Sequence, residues 1–134
     1  MTRRFEEIPH TADLAIRVYG RDLRELFTNA ACGLFSLMAE LPAEESVRRE
    51  ITLEGSDYET LLVDWLNELI YLHEVEGETY SHFAIETLSP RGLKTRVAGG
   101  PTIRKTRAIK AATFHDLSIE ETPEGYVATV VFDV

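Results

Sequence analysis

Carboxylates stand near both ends of the sequence, where strands are expected to begin or stop. Asp13 closes "HTAD", just before the alternating run "LAIRVYG", and Asp133 is the penultimate residue of the closing "VVFDV". A carboxylate costs strand propensity and is poorly tolerated in a core without a partner, so water or a positive charge must meet it. If the first and last strands are neighbours in one sheet, Asp13, Asp133 and the carboxylate of Val134 converge. Their mutual repulsion would then call for a hard, oxygen-binding cation such as Ca²⁺ or Mg²⁺. The competing reading is that two aspartates near strand ends are ordinary solvated surface residues. Spacing alone leaves both open.

Other side chains could also carry chemistry. His10 and His115 each sit beside a strand and an aspartate, as functional groups or as hydrogen-bonded structural histidines, and neither has a nucleophile nearby in sequence. Asp64 and Glu68 lie one helical turn apart on a shared face, which is usually a solvated stripe. Lys110 alternates with Ile109 and Ala111 in "AIKAATF", so it points away from the core and could balance an acidic cluster or touch a partner's phosphate. In "RKTRAIK", Arg104, Lys105, Arg107 and Lys110 form a basic island that either solubilises a loop or docks an acidic partner. There is no P-loop, no G-x-S-x-G and no H-E-x-x-H, although carboxylates with a metal could still hydrolyse phosphoesters. No dense EF-hand-like loop marks a plain calcium module.

These groups need elements to hold them. In "DLRELFTNAACGLFSLMAEL", Asp22 can cap a helix with Glu25 three residues on. Leu23, Leu26, Phe27, Ala30, Leu34 and Met38 follow at helical spacing, and the helix should end before Pro42. A second helix starts at the S-x-x-E box of Ser56 and Glu59 and carries a wide apolar stripe of Leu61, Leu62, Trp65, Leu66, Leu69 and Leu72. Trp65 on that stripe reads as core, and Gly77 as the stop. Strands are expected at Phe5 to Ile8, Leu14 to Tyr19, "REITLEG", "SHFAIETL" and "LKTRVAG", the last two turned by Ser89-Pro90-Arg91-Gly92. "AIKAATFHDLSIEE" and "GYVATVVFDV", turned by Thr122-Pro123-Glu124-Gly125, complete the set. This order predicts an α+β fold, one domain over residues 1–134, with two helices packed on a largely antiparallel sheet.

Composition agrees with a chain that folds by itself: 134 residues, 44% hydrophobic and 28% charged. With 23 acidic against 14 basic residues the formal charge is -9, which opposes a broad non-specific grip on nucleic acid, so contact with RNA is expected to be indirect. The single cysteine, Cys32, excludes an intramolecular disulfide and fits a reducing, cytoplasmic setting. No apolar leader or membrane-spanning run is visible.

"HTAD", "DWLNELIYLHE", "KAATFH" and the closing "FDV" together, and in this order, resemble the archease family over nearly the whole chain. The resemblance implies a small accessory protein, not itself an enzyme, that activates the RtcB-type RNA ligase. That ligase joins 2′,3′-cyclic-phosphate and 5′-hydroxyl RNA ends during tRNA splicing, after loading a guanylyl group from GTP onto a histidine. The contact would be transient, with tRNA met only through the ligase. It further implies a divalent cation, usually taken to be Ca²⁺ with Mg²⁺ or Mn²⁺ as alternatives, held by Asp13, Asp133 and Val134. The chain departs from relatives by ending in valine where isoleucine or leucine is common, but an oxygen of the main chain would be the ligand there. A small metal-dependent phosphoesterase or a calcium-binding interaction module remains the alternative function.

Overall fold

In the computed structural model, which describes residues 4–9 and 14–134, the elements follow in the order β1 (Phe5–Ile8), β2 (Leu14–Gly20), α1 (Leu23–Met38), β3 (Val47–Glu54), α2 (Tyr58–Glu76), β4 (Glu78–Ser89), β5 (Gly92–Pro101), β6 (Ala111–Thr122) and β7 (Gly125–Asp133). The α+β expectation holds and every pairing among these strands is antiparallel. The strands divide, however, into two sheets, ordered β1-β2-β7-β6 and β3-β5-β4. Each helix touches both: α1 packs on β2 and β4, α2 on β6, β3 and β4.

That two-sided burial explains the composition of the helices. Leu61, Leu62, Val63, Trp65, Leu66, Leu69, Ile70, Leu72 and His73 of α2 are all buried, a set too wide for one face. Trp65 is fully buried as expected, and its indole N–H donates to the Phe27 carbonyl at 3.0 Å, joining α2 to α1.

Helix ends follow capping chemistry. Asp22 accepts from the Glu25 N–H at 2.8 Å, and Glu25 reaches back to the Arg21 N–H at 3.0 Å. For α2 the cap falls on Asp57, not Ser56: Asp57 accepts from the Thr60 N–H at 2.7 Å. Two oxygen-bearing residues stand side by side there, and the carboxylate, the stronger acceptor, takes the position. Gly77 ends α2 in the left-handed region at φ 66, as the sequence indicated.

Between the start of β4 and β3 lies a polar clamp. The Arg49 guanidinium donates to both Glu78 oxygens, at 2.6 and 3.0 Å, and the buried Tyr80 hydroxyl donates to the same carboxylate. Arg49 holds the Glu78 carboxyl below the usual carboxylate range, while burial and the neighbouring carboxylate push the Tyr80 phenol up. The buried His73 ring contributes a further tie at the end of α2, with Nδ1 2.8 Å from the Glu78 carbonyl and its ring edge-on to Phe35.

Candidate functional site

β7 occupies an interior position in the four-stranded sheet, between β2 and β6. Its backbone pairs with β2 on one edge and β6 on the other, and Val130, Val131 and Phe132 near its end are all buried, so this end of the strand is held by ladders on two sides. Leu14 stands opposite Phe132 and Ala111 opposite Asp133. The last strand therefore neighbours not the first strand, β1, which lies on the sheet edge beyond β2, but the second, β2, the strand that follows Asp13; that is the adjacency on which convergence of the acidic residues depends. Asp13, the residue before Leu14, lies outside the described residues, as does His10.

Asp133 and Val134 are exposed where β7 ends. The Lys110 N–H donates to the Asp133 carbonyl at 2.8 Å, which places this basic residue beside the acidic strand end. The strand containing Lys110 was expected to begin at Ala108, yet β6 starts only at Ala111. Lys110 is exposed and Ile109 buried even so, because Ile109 enters the core from the connection that precedes the strand.

The remaining candidates separate. Asp64 is exposed on α2, with Glu68 half-buried. His115 is exposed within an irregular stretch of β6, where the pairing jumps from Thr113/Val131 to Ser118/Thr129. Only Val130 lies between the paired β7 residues, so Phe114 to Leu117 bulge outward. Asp116 adopts φ 53 in this bulge, and its carboxylate lies 3.4 Å from His115 Nε2. Cys32 is half-buried on α1, where burial pushes its thiol up and Arg4 Nη2 donates to the sulfur at 2.9 Å. A thiol so placed is a weak nucleophile.

Sequence reasoning missed Asn67. Its side-chain oxygen accepts from the Ala112 N–H at 2.8 Å and its side-chain amide donates to the Ala112 carbonyl at 3.2 Å. β6 is an edge strand of its sheet, and the carboxamide occupies the place of a peptide group from a next strand. Asn67 thereby fixes the β6 end that pairs with Asp133. An asparagine on a helix inside "DWLNELI" gives no signal of this beyond being polar in an apolar run.

Chemically, the described part of this end offers the Asp133 carboxylate and the oxygens of Val134. These are hard donors of the kind Ca²⁺ or Mg²⁺ takes, and poor ones for soft metals. Among the described residues, no group of three or more His, Cys, Asp or Glu side chains gathers to hold a metal.

Residues 5–134 match the family described as the Archease protein family. The chain is similar to "Protein archease" of Saccharolobus islandicus (strain M.14.25 / Kamchatka #1), 40% identical over 139 residues, with 98% of this chain and 99% of the relative covered. It is also similar to "Protein archease" of Pyrococcus furiosus, at 36% identity over 141 residues and coverage of 98% and 99%. Among solved structures, Methanobacterium thermoautotrophicum protein 1598 superposes with a TM-score of 0.76 at 30% identity, covering 98% of this chain and 99% of that one. A Thermotoga maritima archease described as a "possible chaperone" gives 0.69 at 26% identity, covering 100% and 98%.

Proposed function

Because the chain belongs to the archease family, we propose that it is the accessory protein of an RtcB-type RNA ligase, promoting guanylylation and multiple turnover of that ligase in tRNA splicing and RNA repair. In this reading the protein is not an enzyme and works in the cytoplasm. No helix of the described residues is long and apolar enough to cross a membrane.

The observation that supports the reading most is the placement of β7, which sets Asp133 at the end of an interior strand with β2 and β6 on its flanks. A carboxylate held in this way can be offered to a partner without the ordering cost that a frayed terminus would carry. Asp13, Asp133 and an oxygen of Val134 would hold a divalent cation, Ca²⁺ or alternatively Mg²⁺ or Mn²⁺. Such a cation supplies positive charge that can meet phosphate oxygens. Asp133 holds its position through the Lys110 bond, and Asn67 holds β6 in register beneath it. With a formal charge of -9, the chain is poorly suited to gripping RNA directly, so tRNA is met through the ligase.

A single-turnover guanylylation assay tests the proposal. The ligase should reload faster with this protein present, and Asp13→Ala or Asp133→Ala should remove most of the gain while melting like the parent. Equal reloading by the ligase with and without the parent protein would refute the reading.

A further inference from the structure

Each sheet ends in two strands that pair on one side only: β1 and β6 in one sheet, β3 and β4 in the other. Such an edge is a template for another chain, and proteins blunt it with short strands, bulges or a cover. Three of these edges are blunted. β1 has only four residues, β4 carries two register shifts, and β6 has its bulge and the Asn67 carboxamide. β3 differs. Its eight residues pair with β5 without a shift, from Val47/Gly99 to Glu54/Gly92, and among the described residues β3 pairs with no other strand.

The direction of its backbone groups follows from the residue after it. The Gly55 N–H donates to the Arg91 carbonyl at 2.9 Å, which turns the peptide groups of Gly55 toward β5. By the alternation of an antiparallel ladder, Leu53, Ile51 and Arg49 do likewise, while Arg48, Glu50, Thr52 and Glu54 present theirs at the outer edge. A groove of about 420 Å³ runs along that edge, lined by residues 48–53 and by Glu68 and Leu72 of α2.

The charges on the edge select what can lie there. Arg48, Glu50, Thr52 and Glu54 are all exposed. Glu50 has Arg96 at 3.4 Å, whereas Arg48 at one end and Glu54 at the other have no ion-pair partner among the described residues. A second copy laid antiparallel about a two-fold axis at Ile51 sets Arg48 opposite Glu54 at both ends and Glu50 opposite Thr52. The outward backbone groups then all fall in hydrogen-bonded pairs. Axes at Arg49, Glu50 or Thr52 instead set arginine against arginine or glutamate against glutamate. Charges that repel an arbitrary strand are thus complementary to one arrangement of this strand with itself.

We propose that β3 is an interface between two copies of this chain, which pair antiparallel about Ile51 with Arg48 of each facing Glu54 of the other, and join two three-stranded sheets into one. Contact confined to a strand pair is small, so the dimer is weak, with a Kd on the order of 10 to 100 μM. The acidic end of β7 lies in the other sheet and takes no part, so the pairing is independent of the ligase reading.

The test is sedimentation equilibrium of the full chain from about 1 μM to about 1 mM, with thermal melting to confirm that each variant folds. The parent should pass from monomer to dimer across this range. Arg48→Glu and Glu54→Arg each set like charges opposite one another at both ends, and each should weaken the dimer about tenfold or more. Mixed together, the two variants should form a heterodimer at least as tight as the parent dimer, because one carries glutamate at both positions and the other arginine. Thr52→Pro removes an outward N–H while sparing the ladder to β5, and should abolish the dimer. Amide exchange at Arg48, Glu50, Thr52 and Glu54 should slow as concentration rises, while that at Ile51, already bonded to β5, stays unchanged. A parent that remains monomeric at the highest concentration would overturn the proposal, and outward amides protected only by added ligase would then give the edge to that partner. A dimer that both charge reversals leave intact would overturn it too, as would one that the reversals break and their mixture does not restore.

Discussion

Replacing Asn67 by alanine isolates one contact with a calculable cost. The carboxamide pairs with both backbone groups of Ala112, which is buried at 4% exposure, on the side of β6 that no strand covers. Its removal leaves an N–H and a C=O without partners, each worth about 1 to 3 kcal/mol when buried. Because Asn67 itself is half-buried, water reaches the vacated space and draws the total toward the lower end. The expected loss is about 2 to 3 kcal/mol for the pair of bonds. With a denaturant slope near 2 kcal/mol per molar, the urea midpoint should fall by about 1 M with the slope unchanged. Hydrogen exchange at the Ala112 amide should accelerate more than at the Ile16 amide, which lies in the interior strand β2. Asn67→Asp keeps the acceptor but sets a carboxylate against the Ala112 carbonyl. That variant should regain stability as the pH is lowered, since its protonated form can donate. An Asn67→Ala midpoint equal to the parent's, with unchanged exchange at Ala112, would show that the carboxamide contact carries no net energy.

Other expectations concern charge and the chain end. Glu78, depressed by Arg49, contributes stability that is present above its ordinary value of 4.5 and is lost as pH falls through the lower folded value. Arg49→Met should therefore lower the melting temperature near neutrality, with a deficit that shrinks in acid, and a pH-independent deficit would point to lost packing instead. Tyr80, raised by burial, contributes below its ordinary value of 10.0 and loses that contribution in strong alkali, so Tyr80→Phe should show a shallower alkaline melting curve. Adding residues after Val134 should weaken Ca²⁺ binding and ligase activation while residues added before Met1 do little. Equal calorimetric titrations of the two extended proteins would remove Val134 from the ligand set.

What the sequence made legible was local. Asp22, Glu25 and Gly77 announce helix ends through interactions completed within a few residues, and the stripe from Leu61 to Leu72 shows that α2 is buried. The same stripe cannot say against what. Burial of Val63 and His73 beside Leu66 and Leu69 comes from having a sheet on each side, and the pairing of strands into two sheets is a long-range choice that alternation does not encode. Ser56 and Asp57 differ by one position, within the ordinary blur of a helix boundary. The neighbourhood of β2 and β7 was open as a condition, and the register now meets it for Leu14 and Phe132. Asn67 stayed hidden because its value depends on an edge strand distant in sequence.

The pairing of β2 with β7 also governs the order in which the protein can form. More than a hundred residues separate Leu14 from Phe132, and joining them closes a loop whose entropy is about 4 kcal/mol. The β4–β5 and β6–β7 hairpins and the two helices are local and should form early, whereas β1 and β2 alone make a marginal two-stranded ribbon. Closure of the four-stranded sheet is then a late event in folding. A partly folded chain has no means of placing the strand end of Asp133 beside the beginning of β2, so the acidic end doubles as a mark that folding is complete.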